Sequence, residues 1–144
     1  MRVVIAPDKF AGTLTALEAA QAIAVGWHRA APDDLLHLAP MSDGGPGFVD
    51  VLHTALGGET RLISVPGPYG DPAVVAVLLA DGTAYIESAQ ACGLALSDRR
   101  EPVVGTSFGV GAAIADAIDN GMTTIVVGLG GTATNDGGAG VLAA

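Results

Sequence analysis

Three stretches run from an apolar segment into a short loop that carries an acid: "VVIAPDKFAG" at 3–12, "LHLAPMSDGGPG" at 36–47 and "IVVGLGGTATNDGGAG" at 125–140. The last two nearly repeat a phrase, Asp-Gly-Gly-x-Gly, at 43–47 and 136–140. Glycine after an acid lets backbone approach a ligand with no Cβ in the way. Paired glycines let successive amides point into one concavity, a nest for phosphate or carboxylate oxygens. Carboxylates beside such a nest suggest Mg²⁺, held by one or two acids and the phosphates themselves. In a parallel sheet, ligands sit beyond the carboxyl ends of the strands, so Asp8, Asp43 and Asp136 are expected to share one rim. For either phrase alone, a tight turn with an Asp helix cap is the more ordinary explanation. The stretch 128–140 exceeds that need, with six glycines and four hydrogen-bonding side chains in thirteen residues.

Other candidates are weaker. No G-x-x-x-x-G-K-[ST] occurs, which excludes a Walker-type site. "GLGGTA" is G-x-G-x-x-A without a clear acidic partner, so a dinucleotide site ranks last. His28, His37 and His53 lack metal-ligand spacing and read as structural. Glu87 stands at a strand end, either facing a ligand or exposed. Cys92, between Ala91 and Gly93, reads as a small buried residue rather than a nucleophile.

The elements that position these residues follow from periodicity. "RVVIAP" (2–7) is a strand pattern buried on both faces. A helix follows over 15–31, opened by a Thr15/Glu18 capping box and stopped by Pro32. Its stripe Leu17, Ala20, Ile23, Ala24 and Trp27 is expected to pack on a sheet. "LLHLAP" (35–40) is a second strand, and 47–58 a second short helix ended by glycine. Strand, helix, strand, helix implies a parallel sheet with right-handed crossovers. Then 60–65 and 73–80 read as strands, and "DG" at 81–82 signals a type I′ hairpin into "TAYIESA". This middle is antiparallel or mixed, and a domain boundary is expected near Pro66–Pro68, giving an N-terminal α/β domain over 1–66 and the beginning of a second over 67–144. A third helix spans 106–121, N-capped by Thr106 or Ser107 and closed by Asn120-Gly121. A strand at 123–131 runs into the glycines, and "GAGVLAA" starts a helix that the chain leaves short, so the sequence reads as truncated. The fold class is α/β: a Rossmann-like parallel sheet with flanking helices, leading into a second, mixed-sheet α/β domain.

Composition sets the bounds. The 144 residues suffice for one ordinary domain or part of something larger. Half are hydrophobic and 4% aromatic, so the core must be aliphatic. A formal charge of -9 argues against nucleic acid or an anionic membrane surface as partner. It leaves room for an anionic small molecule held by aimed amides. The N-terminus is too short in apolar residues for a signal peptide, and no apolar run reaches the ~18 residues of a membrane span. With a lone cysteine, the reading is a cytoplasmic protein.

Together, "APDKFAGTLTALEAA", "PMSDGGPG", "IESAQACGL", "TSFGVG" and "VGLGGTATNDGGAG" resemble the bacterial glycerate kinase family, in the family's order and over nearly the whole chain. The resemblance implies phosphorylation of D-glycerate with ATP and Mg²⁺, two α/β domains with the active site between them, and a chain well over twice this length. It puts Asp8, Gly12, Asp43, Gly44, Gly45, Glu87, Thr106, Gly130, Gly131, Thr132, Asn135, Asp136 and Gly137 near the cleft. Asp43 and Asp136 are the expected catalytic acids, with Asp136 also the metal ligand. Asp8, Lys9, Gly12, Gly44, Gly45, Glu87 and Thr106 are expected at the substrate, and Gly130, Gly131, Thr132, Asn135 and Gly137 at the phosphates.

Two positions depart from the family's pattern. Its phrase D-x-F-K-G meets Ala11 where the lysine falls, and D-G-G-E-G meets Pro46 in place of glutamate. Lys9, the sole lysine, can compensate, because positions 9 and 11 of an extended loop project to the same side. Pro46 also removes an amide from the nest. The competing reading is a non-catalytic remnant that binds ligand or partner. An incomplete sheet would expose apolar surface and self-associate.

Overall fold

The computed structural model describes residues 1–144, which divide into two compact units, Met1–Asp43 and Gly44–Ala144. In the first, β1 (Arg2–Ile5) pairs in parallel with β2 (Leu35–Leu38), with Val3 opposite Leu36 and Ile5 opposite Leu38. The connection between them is α1 (Ala16–Ala30). The expected capping box closes it: Glu18 N donates to Thr15 Oγ1 at 3.2 Å and Thr15 N to Glu18 Oε2 at 2.8 Å. The expected packing stripe is only partly right. Ala16, Ala19 and Ala20 are the buried residues of α1, whereas Ile23 and Trp27 remain 43% and 37% exposed. Small side chains let the first turns approach the two strands, and the larger residues of the stripe extend beyond so narrow a sheet. For the same reason β1 is not buried on both faces: Ile5 is covered, while Val4 and Leu35 are exposed.

The second unit holds a four-stranded mixed sheet in the order β3-β4-β5-β6. Strands β3 (Glu59–Pro66), β4 (Pro72–Ala80) and β5 (Thr83–Glu87) are antiparallel, and β6 (Thr124–Gly128) runs parallel to β5. Asp81 and Gly82 both take positive φ, 48° and 75°, as a type I′ turn requires. The boundary expected near residue 66 falls inside the second unit, where β3, which ends at Pro66, is registered along its whole length with β4.

Period-two alternation sends Ala84 and Ile86 of β5 to one face and Tyr85 and Glu87 to the other. The first face meets α4 (Phe108–Asp119), where Val75, Val77, Ile86, Val110, Ala113 and Ala117 form an aliphatic core. Burying each Val or Ile there contributes about 1.5–3 kcal/mol. Helix α2 (Phe48–Leu56) packs on β4 and β5, so Glu87 looks toward it. Sequence periodicity did not reveal α3 (Ser88–Cys92) or the 3₁₀ turn Leu94–Leu96, each shorter than the window over which a period shows. The last element is α5 (Ala139–Ala143). No helix is long and apolar enough to cross a membrane.

Candidate functional site

In the first unit, the chain leaves β1 through Pro7 and at once presents Asp8 and Lys9. The Lys9 ammonium stands 2.8 Å from Asp43 Oδ1 and 3.7 Å from Asp8 Oδ1. Asp8 Oδ1 also accepts the Lys9 amide at 2.6 Å. The backbone supports the pairing, since Met41 N donates to Pro7 O and so brings the two strand-end loops together. The hydrogen bond to Asp43 holds the Lys9 amine above its ordinary pKa, against partial desolvation, with Asp8 adding to the rise. Lys9 therefore remains a cation facing two carboxylates. Gly12, at φ 77°, turns the same loop toward α1.

In the second unit, Asp136 is the hub of the glycine-rich stretch. Its Oδ2 accepts the Ser107 amide and hydroxyl, both at 2.8 Å, and the Gly140 amide at 3.1 Å; Oδ1 accepts the Gly138 amide at 3.0 Å. These bonds, the Ser107 amide foremost, hold the carboxyl down to about 2 despite partial desolvation. Asp136 thereby satisfies amides at the starts of both α4 and α5. Thr106 Oγ1 accepts the Phe108 amide at 3.1 Å, so the residue before the Ser107 boundary position supplies the side-chain cap of α4. Thr134, which sequence reasoning passed over, donates to Gly105 O at 2.7 Å and accepts the Asp136 amide at 3.1 Å. Ser107 joins the hub across 29 residues of sequence, a distance no local signal spans.

Glu87 is neither exposed nor a free strand end. It is 3% exposed, and its Oε2 accepts the amides of Gly47 at 3.0 Å and Val49 at 3.4 Å, in the opening turn of α2. Burial raises its pKa above the ordinary carboxylate value, opposed by those amides and by Gln90. Gln90 is itself pinned, its Oε1 accepting the Ala76 amide at 2.7 Å. Cys92 is buried and its thiol pushed up to about 11 by desolvation, in keeping with a packing role.

The glycines between these acids have a steric explanation. A Cβ on Gly130 would stand 2.7 Å from the Gly45 Cα, and one on Gly44 3.2 Å from the Leu129 amide nitrogen. The 44–45 and 128–130 backbones thus touch directly. Gly131 O accepts the Leu94 amide at 2.8 Å, and Thr132 bridges to Gly93, tying the loop to the start of the 3₁₀ turn. Asn135 and Gly137 lie exposed at its outer edge. Beside it, a cleft of about 380 Å³ is lined by Pro46, Val74, Glu87, Gln90, Leu94 and Leu96, among others, with Gly131 on one wall. No group of three or more His, Cys, Asp or Glu is arranged to hold a metal ion by itself.

The family model described as "Glycerate kinase family" matches residues 3–144. An uncharacterized protein of Mycobacterium bovis is 49% identical over 99% of this chain and 39% of its own length. A glycerate kinase of Halalkalibacterium halodurans is 44% identical over 96% of this chain and 38% of its own. The crystal structure of a putative glycerate kinase 2 from Salmonella typhimurium LT2 superposes with a TM-score of 0.82 at 39% identity, covering 99% of this chain and 39% of that one. The chain thus spans about two fifths of the length of the relatives it matches.

Proposed function

The chain belongs to the glycerate kinase family, and from that premise we propose that it is the N-terminal part of an enzyme that phosphorylates D-glycerate with ATP and Mg²⁺. The observation that carries this reading is the family match over residues 3–144. In the step, a glycerate hydroxyl oxygen attacks the γ-phosphorus, its proton passes to a carboxylate, and ADP leaves. Positioning and charge neutralisation supply most of the catalysis in such transfers.

Of the two expected acids, Asp43 is assigned to orient or deprotonate the hydroxyl, because its carboxylate is mostly exposed and meets a lysine. Asp136 already takes four donors, so its role is to hold the glycine loop. The same contrast bears on Mg²⁺, which supplies charge neutralisation at the phosphates when bound. Asp8 and Asp43 have oxygens converging on the Lys9 ammonium and fit a cation. Asp136 faces N–H and O–H donors and does not. Lys9, in place of the lysine that Ala11 replaces, neutralises developing charge on the transferring oxygens. Gly130, Gly131, Thr132, Asn135 and Gly137 take the phosphates, while Gly12, Gly44, Gly45, Glu87 and Thr106 hold the substrate loops in shape.

The test is ADP release from Mg²⁺-ATP by the purified chain, with and without D-glycerate. Release that requires glycerate and yields phosphoglycerate is expected; a cooperatively folded sample without it overturns the assignment of a sufficient site to these residues. Pro46 favours a second reading, binding without turnover. Calorimetric binding of D-glycerate with no ADP release would select it.

A further inference from the structure

The cleft beside Gly131 is not used by any step above. The geometry points to it as the seat of the nucleobase of the phosphoryl donor, an inference that rests on the kinase reading and adds to it where the base lies. Its volume of about 380 Å³ falls in the range of small-molecule sites, which are mostly apolar with a few fixed polar groups. Val74, Leu94 and Leu96 offer apolar walls, and these suit the faces of a flat ring. They do not suit glycerate, every carbon of which carries oxygen.

Charge points the same way. The one ionisable group lining the cleft is Glu87, an acid, which repels the carboxylate of glycerate and the phosphates of a nucleotide. A carboxylate does accept from an exocyclic amine such as the N6 group of adenine. Glu87 is fixed by the Gly47 amide at 3.0 Å, and its neighbour Gln90 by the Ala76 amide at 2.7 Å, so these polar groups need little reordering on binding. Gly131 connects the two halves of the assignment. It lines the cleft and belongs to the loop assigned to the phosphates, so one nucleotide can lie with its base in the cleft and its phosphates on the loop.

Three probes separate these contributions: adenosine, ADP and inorganic tripolyphosphate, each added to the chain and followed by hydrogen exchange and calorimetry. Adenosine and ADP are expected to slow exchange in the segment 93–96, and tripolyphosphate to leave it unchanged. Ala95→Trp, at an exposed position of the cleft wall, is expected to weaken adenosine and ADP about ten-fold or more and tripolyphosphate hardly at all. Adenosine binding without protection of 93–96, or no adenosine binding, overturns the inference on the wild-type chain, whatever the variant's folding. If turnover or tripolyphosphate binding persists in that case, the kinase reading survives and the base lies elsewhere. If neither ATP nor tripolyphosphate binds, both fail together.

Discussion

At 136–140 the aspartate of the Asp-Gly-Gly phrase caps the helix that follows it, giving its oxygens to Ser107, Gly138 and Gly140. At 43–47 the same letters behave otherwise. Asp43 pairs with Lys9, and the helix that follows is capped by Glu87, forty residues along the chain. The difference lies in where the helix begins. Gly138, two residues after Asp136, is the N-cap of α5, within reach of the acid's own side chain. Gly47, four residues after Asp43, is the N-cap of α2, and a buried acid from β5 takes the capping role. One phrase gives its acid to the helix that follows it, and the other pairs its acid with a lysine. Sequence similarity therefore does not carry function from one to the other; the phase of the following helix decides.

The largest expected effect tests the phrase that keeps its acid for chemistry. Lys9→Ala should lower glycerate-dependent turnover about 10²- to 10³-fold, the usual loss for one transition-state charge partner. The urea midpoint should hardly move, since exposed ion pairs contribute about 0–1 kcal/mol. An unchanged rate would remove Lys9 from the reaction.

Next comes the architectural phrase. Asp136→Ala should destabilise the fold by about 2–3 kcal/mol, because amides at two helix starts lose a charged acceptor. Asp43→Ala, at a mostly exposed carboxylate, should cost less. Equal effects on the urea midpoint would erase the contrast between the phrases. The pH dependence adds a sign. The Asp136 carboxyl is depressed to about 2, so its stabilisation is present above the unfolded carboxyl value and is lost as pH falls toward 2. Acid titration of wild type against Asp136→Asn should show that loss in the wild type alone.

The first phrase also meets the glycine run that precedes the second. Gly130→Ala would push a methyl to 2.7 Å from the Gly45 Cα, a backbone atom that cannot swing aside. Overpacking of this kind costs about 1–3 kcal/mol, read as a lowered thermal midpoint. A neutral result would show that the loops separate without penalty, and the excess of glycine would then need a ligand to explain it.

Much of this was legible from the sequence where the signal is local. The Thr15/Glu18 box, the Asp81-Gly82 hairpin and the sequence of strands and helices each occupy a few adjacent residues. The glycine-rich loops were legible as special, but their reason was not. The approach of Gly130 to Gly45 spans a separation that composition cannot show. Glu87 is the clearest case. As a strand-end acid it was readable as ligand-facing or exposed, and it is not exposed, because the amides it serves open a helix whose packing on β5 is a tertiary fact. The tie from Ser107, at the start of α4, to Asp136 was hidden in the same way, across 29 residues.

The smallest effect is the most discriminating for that acid. Burial raises the Glu87 pKa, so the contribution of its protonated form is fully present below the unfolded value and is lost as pH rises through the folded one. This slope is opposite to that of Asp136. Glu87→Gln keeps an oxygen for the Gly47 and Val49 amides and removes the charge. The variant should therefore match or exceed wild-type stability at neutral pH, and the gap should close as pH falls. Glu87→Ala should destabilise at every pH, since it leaves two buried or half-buried amides without their acceptor. If Glu87→Gln instead loses stability at neutral pH, the ionised carboxylate is needed for the cap itself. The two acids would then do the same work, each holding a helix start in its ionised form.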